Sequence, residues 1–427
     1  MAVSLQRPKG TQDTLPKDTH RWQAVEGIAR SVAHSFGFRE IRTPMFEETG
    51  LYVRSVGDTS DVVTKEMYTV SSSGDKTFTL RPEGTAGVVR AMLENGVMNE
   101  GFPQKVYYIL PCFRHEKPQA GRLREFHQFG VEMFGSSSPY ADAEIILLAG
   151  SLLKSLGITE VKLNLNSIGC RECRRDYHRA LVEYFSEYKD RLCPTCLERL
   201  DKNPMRLLDC KSPVCQEIGR GAPLITDYLC GDCREHFTAL TGLLDGAGVE
   251  YVLNPRIVRG LDYYTRTVFE FISDSIGAQG TICGGGRYDG LVSELGGQPT
   301  PALGFGAGIE RLILAMTDKS PVFGEPPLVD VYLAPMTDSA RSLSLKLCLE
   351  LRALGLRAEY DILSRGVKAQ LKYANKIGAR FVIVLGESEL EDGAAALKNM
   401  ETGEERRVSL GDIAATCREE AGKYRSL

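Results

Sequence analysis

Cys112-Phe-Arg114-His-Glu116-Lys-Pro118-Gln-Ala-Gly121-Arg122-Leu-Arg124-Glu-Phe-His-Gln128-Phe-Gly-Val-Glu132 reads as a strand, a loop broken by Pro118 and Gly121, and a returning strand. Arg114 on the first strand offers a planar fork suited to a phosphate, and Glu116 can accept from an amino group such as that of adenine. The loop carries Lys117, Arg122 and Arg124, which suits a polyanion such as an RNA end. Gln128 and Glu132 lie four apart on the returning strand, so both point to one face. A solvated hairpin with scattered charges is the plainer alternative, and the Phe-Arg-x-Glu core weighs against it.

Three further stretches extend the hairpin. Ala302-Leu-Gly304-Phe-Gly306-Ala-Gly308-Ile-Glu-Arg311-Leu312 is a glycine-rich strand turning into a helix near Gly308. Arg311 falls in the first turn of that helix, near the positive end of its dipole, where a terminal phosphate is favoured. Arg259-Gly-Leu-Asp-Tyr263-Tyr264 puts a cation, a carboxylate and two phenols on what reads as a short strand, continued by Thr267-Val-Phe-Glu-Phe271. Gly284-Gly-Gly-Arg-Tyr-Asp-Gly290 follows, bringing backbone close to a ligand where no side chain fits. Together these point to a pocket for a small polar molecule beside a phosphate.

At 427 residues the chain exceeds one core, and two or three domains are expected. A net charge of -4 argues against wholesale nucleic-acid coating but leaves room for local basic patches. No apolar run approaches membrane-spanning length, and Met1 to Pro16 lacks the apolar core of a signal peptide. A cytoplasmic protein with no membrane partner is the expectation, its twelve cysteines reduced thiols or metal ligands. Eight of them are spaced as Cys170-x-x-Cys173, Cys193-x-x-Cys196, Cys210-x4-Cys215 and Cys230-x-x-Cys233. That is zinc-knuckle spacing with pairs enough for one or two tetrahedral sites. Which pairs share a metal is not legible from spacing, and a set of reduced, partly buried thiols is the alternative.

The chain divides by pattern. Trp22, Val25, Ile28, Ala29, Val32 and Phe36 recur at helical spacing over 17–36. From 38 to about 150, short β-rich runs alternate with turns, as for an antiparallel sheet with a few helices. Residues 167–240 form a charged, loop-rich, cysteine-rich insertion between two parts of one domain, 1–166 and 241–320. Asp318 to Pro327 reads as a linker. Over 328–427 strands and helices alternate, as in a small α/β domain with a largely parallel sheet. There Arg365, Lys368, Lys372, Lys376 and Arg380 lie on or beside one helix, and no acidic residue occurs between Asp361 and Glu387. A solvated face would interleave acids, so an RNA-facing stripe is favoured.

The hairpin resembles motif 2 of the class II aminoacyl-tRNA synthetases, residues 302–312 resemble motif 3, and Ile41-Arg-Thr-Pro44-Met-Phe-Glu resembles motif 1. Residues 259–264 and 284–290 are similar to segments peculiar to the histidyl-tRNA synthetase family. Arg7-Pro-Lys-Gly-Thr-Gln-Asp-Thr-Leu-Pro16 and Leu80-Arg-Pro-Glu83-Gly84-Thr85 match that family too, and the resemblance spans nearly all of 5–420. It implies an α+β catalytic domain, a small insertion domain, a C-terminal α/β anticodon-binding domain and a homodimer formed through motif 1. It also implies ATP-dependent joining of L-histidine to its tRNA through a histidyl-adenylate, with ATP, Mg²⁺ and tRNA as cofactors and partners. By carry-over Arg114 binds the α-phosphate, Glu116 the adenine and Arg311 the γ-phosphate of a bent ATP. Arg259 contacts the histidine carboxylate and the α-phosphate. Glu132 and Tyr264 pair with the imidazole nitrogens, while Glu83, Thr85 and Gln128, beside Gly84, hold the α-ammonium. Since successive strand residues face opposite ways, Tyr264 is the expected contact and Tyr263 the second. His115 and His127 have no role as a general base. The rivals are a non-catalytic regulatory paralogue that binds histidine, expected to lack the ATP arginines or residues 328–427, and a proline or threonine synthetase, expected to lack Arg259 to Tyr264.

Overall fold

The structure is a computed structural model describing residues 5–57, 60–71, 76–273, 280–316, 320–324 and 329–425. Helix α1 (Pro16–Ser35) begins with proline in its first turn and buries Val25, Ala29 and Val32 of the expected stripe together with Ala33, while Trp22, Ile28 and Phe36 are partly buried. The chain continues through β1 (Arg39–Glu40), β2 (Phe46–Glu48), α2 (Thr49–Val56), β3 (Tyr68–Ser71), β4 (Thr77–Leu80) and α3 (Thr85–Glu94). The long hairpin β5 (Gln104–Phe113) and β6 (Glu125–Phe134) follows, then α4 (Pro139–Ser155) and β7 (Lys162–Ser167). Helices α5 (Arg171–Ser186), α6 (Pro194–Leu200), α7 (Pro213–Gly219) and α8 (Gly231–Gly246) come next. The chain then returns through β8 (Val252–Leu253), β9 (Thr265–Ile272), β10 (Thr281–Arg287), α9 (Leu291–Glu294), β11 (Ala302–Gly308) and α10 (Ile309–Ala315).

These strands form an eight-stranded sheet in the order β1-β5-β6-β11-β10-β9-β7-β8. Its pairs are antiparallel except β1 with β5 and β7 with β8 at the edges. A separate three-stranded sheet has the order β2-β4-β3. One face of the large sheet buries Phe129, Val131, Phe269 and Phe305 with residues of α1, α4 and α10, among them Ala29, Leu148, Leu152 and Leu312. Alternation along each strand leaves the opposite face for the cleft.

Residues 325–427 form a second compact unit, distinct from 1–324. It contains β12 (Val331–Pro335), α11 (Asp338–Ala353), β13 (Ala358–Tyr360), α12 (Val367–Lys376), β14 (Phe381–Leu385), α13 (Glu387–Glu391), β15 (Ala394–Asn399), β16 (Glu405–Ser409) and α14 (Ile413–Arg425). The sheet order is β13-β12-β14-β15-β16. β12 runs parallel to β13 and β14, as expected, while β15 and β16 add an antiparallel hairpin.

Four expectations change. Arg259 to Tyr264 is not a strand but the connection before β9, which starts at Thr265. The insertion is helical rather than loop-rich, because Tyr177, Leu181 and Phe185 of α5 recur at helical spacing and give it an apolar face to bury. Its expected end at 240 falls inside α8, whose Leu240 and Leu244 belong to the main core. Of the expected linker, residues 320–324 contain a short 3₁₀ turn, Pro321–Phe323, with Phe323 buried in that core. Residues 318–319 and 325–327, and Leu328 at the start of the expected strand, lie outside the described residues.

Candidate active site

β6 and β11 pair with Glu132 opposite Gly304 and Gln128 opposite Gly308. The alternate glycines of β11 make room for the polar side chains of β6. A Cβ at Gly304 would stand 2.1 Å from Glu132 Oε2, and one at Gly306 would stand 2.2 Å from Gln128 Nε2. The glycine repeat is therefore the floor of a pocket.

Glu132 is almost wholly buried there. It accepts hydrogen bonds from the Thr85 hydroxyl at 2.7 Å, the Tyr108 hydroxyl at 3.1 Å and the Tyr288 hydroxyl. Burial outweighs these donors and pushes its pKa up to about 8, so the carboxyl is largely protonated at neutral pH. Glu83 accepts from the backbone N–H groups of Thr85 at 2.6 Å and Ala86 at 2.9 Å, at the start of α3. Burial raises its pKa as well. Gln128 Oε1 accepts from the Gly84 N–H at 3.2 Å.

Arg259 enters from the connection before β9 and pairs with Glu270, which also accepts from the Thr281 hydroxyl at 3.0 Å. Its guanidinium lies 5.5 Å from the centroid of the Tyr264 ring. Gly284 leaves it space, since a Cβ there would stand 2.6 Å from Arg259 Nη1. The Tyr263 and Tyr264 rings lie 4.7 Å apart, and Tyr263 meets Tyr288 edge-on at 5.5 Å. Both phenols line the cleft, against the expectation that they face opposite ways. Strand alternation does not govern them because they stand in a turn.

Arg114 stands just past the end of β5. Its Nε donates to the Pro82 carbonyl at 2.8 Å, and its guanidinium lies 5.3 Å from the Phe126 ring centroid. Glu116 pairs with Arg122 at 3.0 Å, which closes the hairpin loop on itself and engages the arginine expected to face RNA. Arg311 reaches the same cleft from the first turn of α10. His127 donates its backbone N–H to Glu310 at 2.9 Å, its ring Nδ1 lies 3.1 Å from the same carboxylate, and it meets Trp22 edge-on at 5.0 Å.

The fold thus gathers Glu83, Thr85, Arg114, Glu116, Arg122, Gln128, Glu132, Arg259, Tyr263, Tyr264 and Arg311 around one cleft. Gly84 is not among its lining residues and packs under the Tyr108 ring instead. In the second unit, Lys368, Lys372 and Lys376 are exposed on α12. Arg365 is tied to Asp361 at 2.5 Å and stacks 4.1 Å from the Tyr373 ring centroid, while Arg380 lies beyond the helix end and is half-buried. The exposed stripe is therefore three lysines. Sequence reasoning passed over Tyr108, Glu270 and Tyr288. Glu270 carried a signal, as the one acid in an apolar strand run. Tyr108 carried none, since aromatic residues in strands mostly pack, and Tyr288, just past the end of β10, carried none either.

Residues 10–172 and 224–312 match the family model described as histidyl-tRNA synthetase, and residues 330–420 match the anticodon binding domain. The unmatched stretch between 172 and 224 holds most of the cysteine-rich insertion. The chain is 50% identical over 406 residues to the histidine--tRNA ligase of Caldanaerobacter subterraneus, covering 95% of this chain and 97% of that one. It is 50% identical over 408 residues to that of Acetivibrio thermocellus, covering 96% and 98%. The apo histidyl-tRNA synthetase of S. aureus superposes with a TM-score of 0.82 at 36% identity, covering 97% of this chain and all of that one. These likenesses run through the arginine-lined cleft and the C-terminal unit alike, which sets aside the non-catalytic paralogue. The chain belongs to the histidyl-tRNA synthetase family, as a catalytic member that joins histidine to tRNA in an ATP-dependent reaction.

Proposed function

We propose that this one cleft performs both steps of the reaction. In the first, a histidine carboxylate oxygen bonds to the α-phosphorus of ATP and pyrophosphate leaves, giving a histidyl-adenylate. In the second, a hydroxyl at the 3′ end of the tRNA attacks the activated carbonyl, its proton passes to the departing phosphate, and AMP leaves. Both substitutions depend on positioning and on neutralising charge on the transferred group, which is the work of fixed cations. Arg114 and Arg259 take the α-phosphate, with Arg259 also on the histidine carboxylate. Arg311 takes the γ-phosphate and Glu116 the adenine amino group. The nucleotide enters as its magnesium complex, and Glu310 beside Arg311 offers the carboxylate oxygen such an ion accepts.

Glu83, Thr85 and Gln128 receive the α-ammonium, and Glu132 with Tyr264 reads the imidazole. A largely protonated Glu132 can donate to one ring nitrogen or accept from the other. The observation that carries the reading is this carboxyl, buried under three hydroxyl donors in the cleft that the arginines enter. A site of this kind rejects apolar isosteres because its own groups would be left unpaired.

The exposed lysines of α12 are proposed to contact the tRNA. A homodimer is supported by Met45, Phe46 and Val70, which leave apolar surface exposed at the sheet of β2, β3 and β4. The insertion's paired cysteines are assigned to structural zinc. Among the described residues no helix is long and apolar enough to cross a membrane, and cytoplasmic work beside its tRNA is the proposed setting. The proposed functional divisions are 1–166 with 241–320, 167–240 and 328–427, the boundary at 240 falling within α8. Exchange of pyrophosphate into ATP, run with each amino acid in turn, tests the assignment. Exchange with histidine alone is expected, and exchange with proline in its place would overturn it.

A further inference from the structure

The eight insertion cysteines fall into two separate sets of four. Cys170, Cys173, Cys230 and Cys233 form one and Cys193, Cys196, Cys210 and Cys215 the other, the sulfurs of each set lying within 4.8 Å of one another. Individual Sγ–Sγ separations are 3.6 Å for Cys170 to Cys173, 3.9 Å for Cys170 to Cys230 and 3.7 Å for Cys193 to Cys210. Four sulfurs about 2.3 Å from a zinc ion stand about 3.8 Å apart at the corners of a tetrahedron. The spacing therefore fits one ion per set and leaves no room for a multi-iron cluster. None of these cysteines is in a disulfide.

Each C-x-x-C pair spans a helix start, Cys170, Cys193 and Cys230 capping α5, α6 and α8 while Cys173, Cys196 and Cys233 stand in the first turn. Backbone N–H groups already point at the sulfurs, from Cys230 to Cys173 at 3.1 Å, Cys193 to Cys215 at 3.3 Å and Ser212 to Cys210 at 3.4 Å. Such outer donors are what orient and stabilise metal-bound thiolates.

Both sets also flank residues that grip Arg259 to Tyr264 from behind. Arg174, next to Cys173, donates to the Tyr264 carbonyl at 3.1 Å. Asn203 and Arg206, between Cys196 and Cys210, donate to Asp262 Oδ1 at 2.9 Å and to the Arg259 carbonyl at 3.0 Å. We infer that the chain holds two structural zinc ions, paired as these two sets, and that they keep the segment bearing Arg259 and Tyr264 in place for histidine. Arg174, Asn203 and Arg206 are then positioning residues. This rests on the reading of the cleft as a histidine site.

Metal analysis of the full chain purified without chelator should find two zinc ions per chain, and less than half an equivalent would overturn the proposal. Pairing is read from double variants. Cys173→Ala with Cys233→Ala should retain one zinc, and Cys173→Ala with Cys196→Ala none. The reverse result would overturn the pairing. Where variants fold poorly, Co²⁺ titrated into metal-stripped wild-type protein should give tetrahedral thiolate bands that saturate at two equivalents, and saturation at one would count against two sites. Arg206→Ala should keep both zinc ions and raise the histidine KM on the order of tenfold, with a smaller rise in the ATP KM because Arg114 and Arg311 still hold the nucleotide. An unchanged histidine KM would overturn the positioning role. Wild-type exchange in the same assay separates these outcomes, since its absence with histidine condemns the reading of the cleft and leaves the zinc count standing.

Discussion

Glu132 concentrates the chemistry of the cleft in one side chain. Burial holds its pKa at about 8, far above its ordinary 4.5, so the folded protein keeps the proton more tightly than the unfolded chain. The stability this gives is full below that ordinary value and is lost as pH rises through 8. Replacement by glutamine should flatten that decline in thermal melts of the unliganded protein. It should also raise the histidine KM by about ten- to a hundredfold through an unpaired imidazole nitrogen, with the ATP KM unchanged. Arg287 has a different office, although it stands within the glycine run beside the cleft. Wholly buried, it donates to Asp142 at 2.7 Å through Nη2 and to Asp289 at 3.1 Å through Nη1. Arg287→Ala leaves the buried Asp142 carboxylate with only the His236 ring, 3.3 Å away, and should cost about 3 kcal/mol in urea unfolding. Asp142 was invisible as a partner in the sequence because 145 residues separate the two.

Among the elements, β11 shows a pattern whose meaning depends on its neighbour. Its alternate glycines suit close strand–helix packing equally well on sequence grounds, and only the register with β6 makes them the space for Glu132 and Gln128. Gly304→Ala should therefore abolish histidine-dependent exchange, since its Cβ meets Glu132 Oε2 and the Val131 carbonyl and only the first can move. A melting temperature and exchange rate equal to those of the wild type would refute that. Helix α12 was legible as a basic stripe, yet Asp361 claims Arg365, a pairing across a turn that charge counting does not weigh. The remaining lysines are exposed point charges, so Lys372→Glu should raise the tRNA KM and lower its salt dependence by about one or two phosphate contacts. A tRNA KM and salt slope equal to those of the wild type would remove α12 from the RNA-binding surface.

For the whole molecule, the division into 1–324 and 325–427 separates amino-acid activation from the anticodon-binding fold. The side chains of Met45, Phe46 and Val70 belong to the first unit and are about half exposed. Light scattering should find a dimer, and Phe46→Glu should shift it toward monomer; a wild-type monomer at micromolar concentration would refute the interface. The sequence by itself determined the family, the reaction and most of the residues that line the cleft, because these lie in short contiguous motifs. It also located β12, β13 and β14 of the second unit, whose period is local, but not the β15–β16 hairpin. Only the tertiary structure decided that Tyr263 and Tyr264 share the cleft, that Tyr108 and Tyr288 hold Glu132, and which cysteines stand together. Those facts rest on contacts between residues far apart in the chain, and no local spacing encodes which distant partner a side chain will meet.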